Sequence, residues 1–139
     1  MNALLSQAES LADHLSYAFD TPTGIPVNTL FFNNRSTDMK PNNSIAGFGT
    51  LVLEWTRLSD LSGNTTYAAL AQKAESYLLN PQPASGEPFP GLLGDTVNIT
   101  NGLIANAEGG WIGNSDSFYE YLLKMWVYDQ SRFSSYKDR

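Results

Sequence analysis

WIGNSDSFYEYLLKMW, running from Trp111 to Trp126, sets a small polar turn in front of an aromatic-rich segment that holds two acids. Ser115 is a residue type that caps helices through its side-chain oxygen. A helix is therefore predicted from Asp116 to about Tyr128, with Phe118, Tyr121, Leu122, Met125 and Trp126 on a broad apolar face. Asp116 and Glu120 are four residues apart, so they neighbour each other on one side of that helix. The positive end of the helix macrodipole attracts a carboxylate at position 116. Phe118, Tyr119, Tyr121 and Trp126 leave these acids little plainly polar face. The glycine-rich approach through Gly109 and Gly110 suggests that Asp116 looks into a cleft, although a first-turn acid followed by a solvated Glu is the blander reading.

Three further helices are predicted upstream. Leu4, Leu5, Ala8, Leu11, Ala12, Leu15, Ala18 and Phe19 recur at spacings of three and four, a helical stripe from about Ala3 to Phe19. Ser44 caps a second helix to about Leu61, with Leu51, Trp55, Leu58 and Leu61 on one side and Ser62-Gly63 closing it. The third starts at Asn64-Thr65-Thr66 and ends at Asn80-Pro81, and so short a turn between the two makes an antiparallel hairpin. Gly24 to Asn43 reads as a long loop with a short extended piece near Val27 to Phe32. Asn80 to Asn114 reads as a second long loop without a helix, a length that usually signals function or disorder. Stacked helical hairpins with working loops at one end follow, an all-α arrangement whose termini do not look like finished domain edges.

Composition narrows the function classes. Hydrophobic residues make up 42% of 139, enough for a single folded core, and eight Lys+Arg against 14 Asp+Glu leave a net charge of -6, which argues against a phosphate-binding surface and disfavours a nucleic-acid partner. No apolar run approaches the roughly 20 residues of a membrane span, so neither a signal peptide nor a membrane anchor is read in the chain. Zero cysteines remove disulfides and thiolate metal sites. Four Asn-Xaa-Ser/Thr sequons, at Asn34, Asn42, Asn64 and Asn98, lie in stretches that read as loop and tilt the compartment toward the secretory pathway or secretion.

Glu54 interrupts the apolar run Leu51-Val52-Leu53-Glu54-Trp55, either as a surface Glu that happens to precede Trp55, as one paired with Arg57 or Arg35, or as a buried, partnered carboxylate. His14 has no second His or Cys to complete a site and reads as structural. GLLGD and EGGWIGN lack the spacing of a phosphate loop. What remains is carboxylates among aromatics, which suits sugars: acids hold hydroxyl groups and perform acid/base work, and rings stack on pyranose faces.

Asp116-Ser117-Phe118-Tyr119-Glu120-Tyr121-Leu122-Leu123-Lys124 closely resembles the DS(F/Y)YEYLLK motif of the class I alpha-1,2-mannosidases, glycoside hydrolase family 47. Gly24-Ile25-Pro26-Val27-Asn28, the block from Gly49 through Gly63, and Pro90-Gly91-Leu92 agree with that family in order. The wording GGW and KMWVYD is most similar to its secreted fungal branch.

The resemblance covers essentially the whole chain and implies part of an (alpha/alpha)7 barrel, about four helices with long loops. It implies inverting hydrolysis of terminal alpha-1,2-linked mannose from high-mannose oligosaccharide by a monomeric parent enzyme, with an essential calcium whose ligand residue is not on this chain. Asp116 would be one of three catalytic acids. Glu54, Glu120 and Asn114 fall at substrate-cavity positions, Asn114 standing where the endoplasmic-reticulum branch has Arg. The early FE-x-x-IR motif, the late catalytic Glu and the calcium-contacting Thr have no counterpart here. Residues 1–139 are therefore expected to be an internal piece of one catalytic domain, inactive and aggregation-prone alone. A non-catalytic mannose-binding or glycoprotein-recognition module is the alternative.

Overall fold

The computed structural model describes residues 2–139. Helix α1 (Asn2–Leu15) runs into a 3-10 turn, Ser16–Phe19. Two short strands, β1 (Leu30–Phe31) and β2 (Ser36–Thr37), make a hairpin in the first long loop. Strand β3 (Asn42–Ser44) leads into the one-turn helix α2 (Ile45–Gly49), then come α3 (Val52–Ser62) and α4 (Thr66–Leu79). The second long loop carries a 3-10 turn, Ala84–Gly86, and strand β4 (Thr96–Asn98). Helix α5 (Asp116–Tyr128) and a 3-10 turn, Ser134–Asp138, complete the chain.

The hairpin of α3 and α4 forms as its turn chemistry dictates. Gly63 takes the left-handed conformation, φ +78°, that ends α3, and the Asn64 side chain accepts the Thr66 amide at 3.1 Å. Polar residues stitch the two helices: Ser59 Oγ accepts the Ala68 amide at 2.7 Å, and Gln72 donates to Thr56 at 3.1 Å. Trp55 meets Phe19 and Tyr67 edge-on at centroid distances of 5.0 and 6.2 Å, which draws the 3-10 turn after α1 onto the pair. Tyr67 donates to Asp13 at 2.8 Å from the same side.

The single helix expected from Ser44 to Leu61 is instead two. Ser44 does cap, accepting the Gly47 amide at 3.0 Å, but the helix stops at Gly49 and resumes at Val52. Gly47 and Gly49 lower helix propensity, and the Thr50 hydroxyl bonds back to the Ala46 carbonyl at 2.8 Å. The break lets Gly49 pass between two neighbours. A Cβ there would lie 2.7 Å from Phe118 of α5 and 2.9 Å from Leu78 of α4. The second long loop is likewise not structureless: β4 pairs antiparallel with β3, so that Asn43 and Val97 face the core while Asn42 and Asn98 share the opposite face.

Glu75 of α4 is wholly buried, a position its spacing from Ala71 and Leu78 already gives it on the apolar stripe. Its Oε2 accepts the Tyr136 hydroxyl at 2.6 Å, while among the described residues Oε1 has no partner. Burial raises this carboxyl from 4.5 to about 8, against a smaller lowering by the Tyr136 bond. The folded state thus keeps a proton that the unfolded chain releases, so stability falls as pH rises from about 4.5 to about 8. Glu75→Gln is expected to flatten that fall, measured as the denaturation midpoint across the window; an unchanged slope would refute the buried, protonated acid.

Candidate active site

Helix α5 begins where two loops meet α2. The first three amides of α2 are all taken: Ile45 by the Asp95 carbonyl at 2.9 Å, Ala46 by the Asn114 carbonyl at 2.8 Å, and Gly47 by the Ser44 hydroxyl. Asp95 closes the circuit from its side chain. Its Oδ1 accepts from Asn106 at 2.6 Å and Thr96 at 2.7 Å, and its Oδ2 accepts from Asn114 at 3.3 Å. Desolvation pushes this buried carboxyl up, but those side-chain bonds outweigh it and hold Asp95 below the usual carboxylate range. Asn114 is thereby locked with φ +78°, the left-handed conformation that Asn tolerates, two residues before Asp116. Asp95 belongs to GLLGD, which carries no phosphate-loop spacing; an acid amid glycines and Asn-rich loop was the available signal.

Ser115 occupies the N-cap position without capping by its side chain. The hydroxyl is buried and donates to the Gly110 carbonyl at 2.6 Å and the Ile112 carbonyl at 3.0 Å, so it folds the approach loop rather than satisfying the helix. Phe118 fills the space beside Gly49. Tyr119 accepts the Leu93 amide at 2.9 Å and lies 5.0 Å from the Trp111 ring.

The acids themselves are on the surface. Asp116 and Glu120 are exposed, not sunk among the aromatics, because α5 buries Phe118, Tyr119, Leu122 and Met125 on its other side. Asp116 Oδ1 accepts the Ser117 amide at 2.9 Å; among the described residues its Oδ2 has no partner. Glu54 is also exposed, which corrects the buried alternative, and it pairs with neither Arg57 nor Arg35. Its Oε1 accepts the Tyr121 hydroxyl at 3.0 Å, across 67 residues of sequence. Lys124 lies 3.3 Å from Glu120 and 4.4 Å from the Tyr121 ring centre. Glu54, Tyr121, Lys124 and Glu120 therefore form one connected polar surface where α3 and α5 pack, and Asp116 stands one turn above Glu120. Burial first, then the facing Glu54, raises the Tyr121 phenol and keeps it a donor.

Glu54 also rims an open groove of 620 Å³ whose other walls are largely Leu4, Leu5, Ala8, Leu53, Leu58 and Leu61. His14 bonds the Ser10 carbonyl at 2.6 Å within its own helix. Among the described residues no three His, Cys, Asp or Glu side chains gather as a metal-binding group. The donor set of the described residues does not fit a calcium site.

The model of glycosyl hydrolase family 47 matches residues 1–139. The chain belongs to that family. It is 58% identical over its whole length to the mannosyl-oligosaccharide alpha-1,2-mannosidase 1B of Aspergillus phoenicis and 59% identical to a mannosyl-oligosaccharide alpha-1,2-mannosidase of Coccidioides posadasii, covering 27% of each. The solved alpha-1,2-mannosidase of Trichoderma reesei, an (alpha/alpha)7 barrel, superposes with a TM-score of 0.94 at 54% identity, over 99% of this chain and 28% of that one. The fold is therefore a section of that barrel, and the chain spans about a quarter of the length of the curated relatives it matches.

Asp95→Ala is expected to leave the Asn106, Thr96 and Asn114 donors short and to cost about 1–3 kcal/mol of stability. Amide exchange should accelerate at Ala46, whose N–H rests on Asn114, and stay unchanged at Ala71 inside α4; unaltered protection of Ala46 would contradict the circuit.

Proposed function

We propose that this chain supplies part of the substrate face of an inverting mannosyl-oligosaccharide alpha-1,2-mannosidase of the secretory pathway, with Asp116 as one of its catalytic carboxylates. The observation that carries the reading is the joining of Glu54 on α3 to the Asp116–Glu120 face of α5 through the Tyr121 hydroxyl. Three acids from two helices distant in sequence are offered on one accessible surface.

Inverting glycoside hydrolysis needs one carboxylic acid to protonate the leaving oxygen and one carboxylate to activate water on the opposite face of the sugar, about 6.5–9.5 Å apart. Asp116, with one oxygen held by the Ser117 amide and the other open, is suited to one of those roles. Glu54 and Glu120 are placed to accept bonds from sugar hydroxyls or ordered water. Asn114, held at its amide by Asp95, offers its remaining polar atoms at the rim. The second carboxylate of the pair comes from the part of the barrel beyond this sequence. The apolar groove beside Glu54 and the exposed Leu11, Leu123 and Val127 are, on this reading, the faces that the rest of the barrel covers.

Two measurements test the proposal. The chain alone, incubated with a Man9-type glycan, is expected to release no mannose. The same sequence grafted in place of the matching segment of the Aspergillus phoenicis relative is expected to give an active mannosidase. An inactive but folded graft, with mannose binding retained by the isolated chain, would favour a non-catalytic recognition module instead.

A further inference from the structure

The segment Gly24-Ile25-Pro26-Val27-Asn28 takes no part in the face built around Asp116, yet it is firmly placed. Ile25 is wholly buried, and the Val27 amide donates to the Ala18 carbonyl at 3.0 Å, which pins the loop to the 3-10 turn after α1. Asn28 is thereby delivered, exposed, to the first turn of α2. Asn43 reaches the same turn from β3. Its Nδ2 donates to the Pro26 carbonyl at 2.8 Å, while Oδ1 of this residue, which is 2% exposed, has no partner among the described residues. A buried acceptor of that kind calls for a donor from elsewhere.

Gly47 decides what can approach it. A Cβ there would stand 2.6 Å from Asn43 Oδ1, 2.8 Å from Ser44 Oγ and 3.3 Å from Asn28 Oδ1. Two amide oxygens and one hydroxyl thus converge on a position that glycine keeps clear. Asn28, Asn43 and Gly47 line a cavity of 200 Å³ whose other walls are apolar, Leu15, Phe19, Leu30 and Trp55 among them, and no charged side chain lines it. That volume is below the roughly 300 Å³ at which sites for drug-sized ligands begin, so it admits one small ring. A neutral ring with hydroxyl groups to donate and an apolar C–H face meets acceptors on one side and aliphatic and aromatic walls on the other. The amides of α2 contribute nothing, because its first three are already bonded. Ala46, next to Gly47, donates to the Asn114 carbonyl at 2.8 Å, two residues before Asp116, so cavity and acid are tied to one turn of backbone.

We propose that this cavity is a subsite for one mannose of the oligosaccharide, outside the pair that flanks the scissile bond. Its hydroxyl groups donate to Asn43 Oδ1 and Asn28 Oδ1 beside Gly47, and its C–H face lies on the apolar walls. The identity of the sugar rests on the mannosidase reading above, so binding and turnover are tested apart.

For binding, the isotope-labelled full chain is titrated with methyl α-D-mannopyranoside and followed by amide NMR. Shifts are expected at the Gly47 amide and at the Asn28 and Asn43 side-chain amides. For turnover, Asn28→Ala, a change at an exposed loop residue, is made in the grafted barrel. It is expected to raise KM for a Man9-type glycan by about 3–10-fold, the loss of one hydrogen bond, with a smaller change in kcat. KM for α-1,2-mannobiose, which is too short to reach the subsite, should rise by less. Gly47→Ala, which sets a Cβ against Asn43 Oδ1, is expected to act in the same direction and more strongly. Equal rises for the two substrates, or a titration that leaves Gly47 and both Asn side chains unmoved, would overturn the subsite. An inactive graft beside a chain that still shows those shifts would refute the mannosidase reading and leave the cavity standing as a mannose site.

Discussion

Gly49 has room for no side chain. It lies where α2 passes between Leu78 of α4 and Phe118 of α5, with both side chains closer to a notional Cβ than real contacts allow. Cores are packed at crystal-like density, so this approach fixes the distance between two helices separated in sequence by the second long loop. Any larger residue would push α5 outward, and with it the start of the helix that bears Asp116. The one-turn length of α2, its break before Val52 and the pairing of β3 with β4 all serve to bring that glycine to its place.

Around this contact the backbone of α2 is satisfied from outside. Asp95 and Asn114 lend it their carbonyls, and the Asp95 side chain then holds Asn114 in a left-handed conformation two residues before Asp116. The path from packing to chemistry is short: a close helix crossing sets α5, a buried carboxylate sets the loop that enters it, and the exposed side of α5 meets Glu54 through Tyr121. Exposed acids beside uncovered leucines suit a section of a barrel that spans 27% of its relatives better than they suit a self-contained binding module.

Much of this was legible in sequence. The bounds of α5 and the α3–α4 hairpin follow from apolar periodicity and from Gly63, and the Asp116–Lys124 motif pointed to the family that residues 1–139 match. What was hidden depended on contacts between distant residues. The split after Gly49 depends on Leu78 and Phe118, which no local pattern couples to it. The β3–β4 pairing joins segments more than fifty residues apart whose Asn-rich composition reads as loop. Ser115 has the residue type of a cap, yet the Gly110 and Ile112 carbonyls compete successfully for its hydroxyl. Glu54 sits in an apolar run but at the position of α3 that faces water, and its partner is a tyrosine rather than an arginine. The catalytic role proposed for Asp116 rests on motif resemblance, because spacing alone leaves open a plain first-turn acid.

The central claim is that Asp116 takes part in bond cleavage and is not merely a charge at a helix start. Its most direct test is Asp116→Asn in the active barrel that carries this sequence, an isosteric change that keeps an acceptor for the Ser117 amide. On this account kcat for mannose release falls by about 10²–10⁴-fold while KM changes little and the melting midpoint holds. A folded variant whose kcat stays close to that of the unmutated barrel would contradict it.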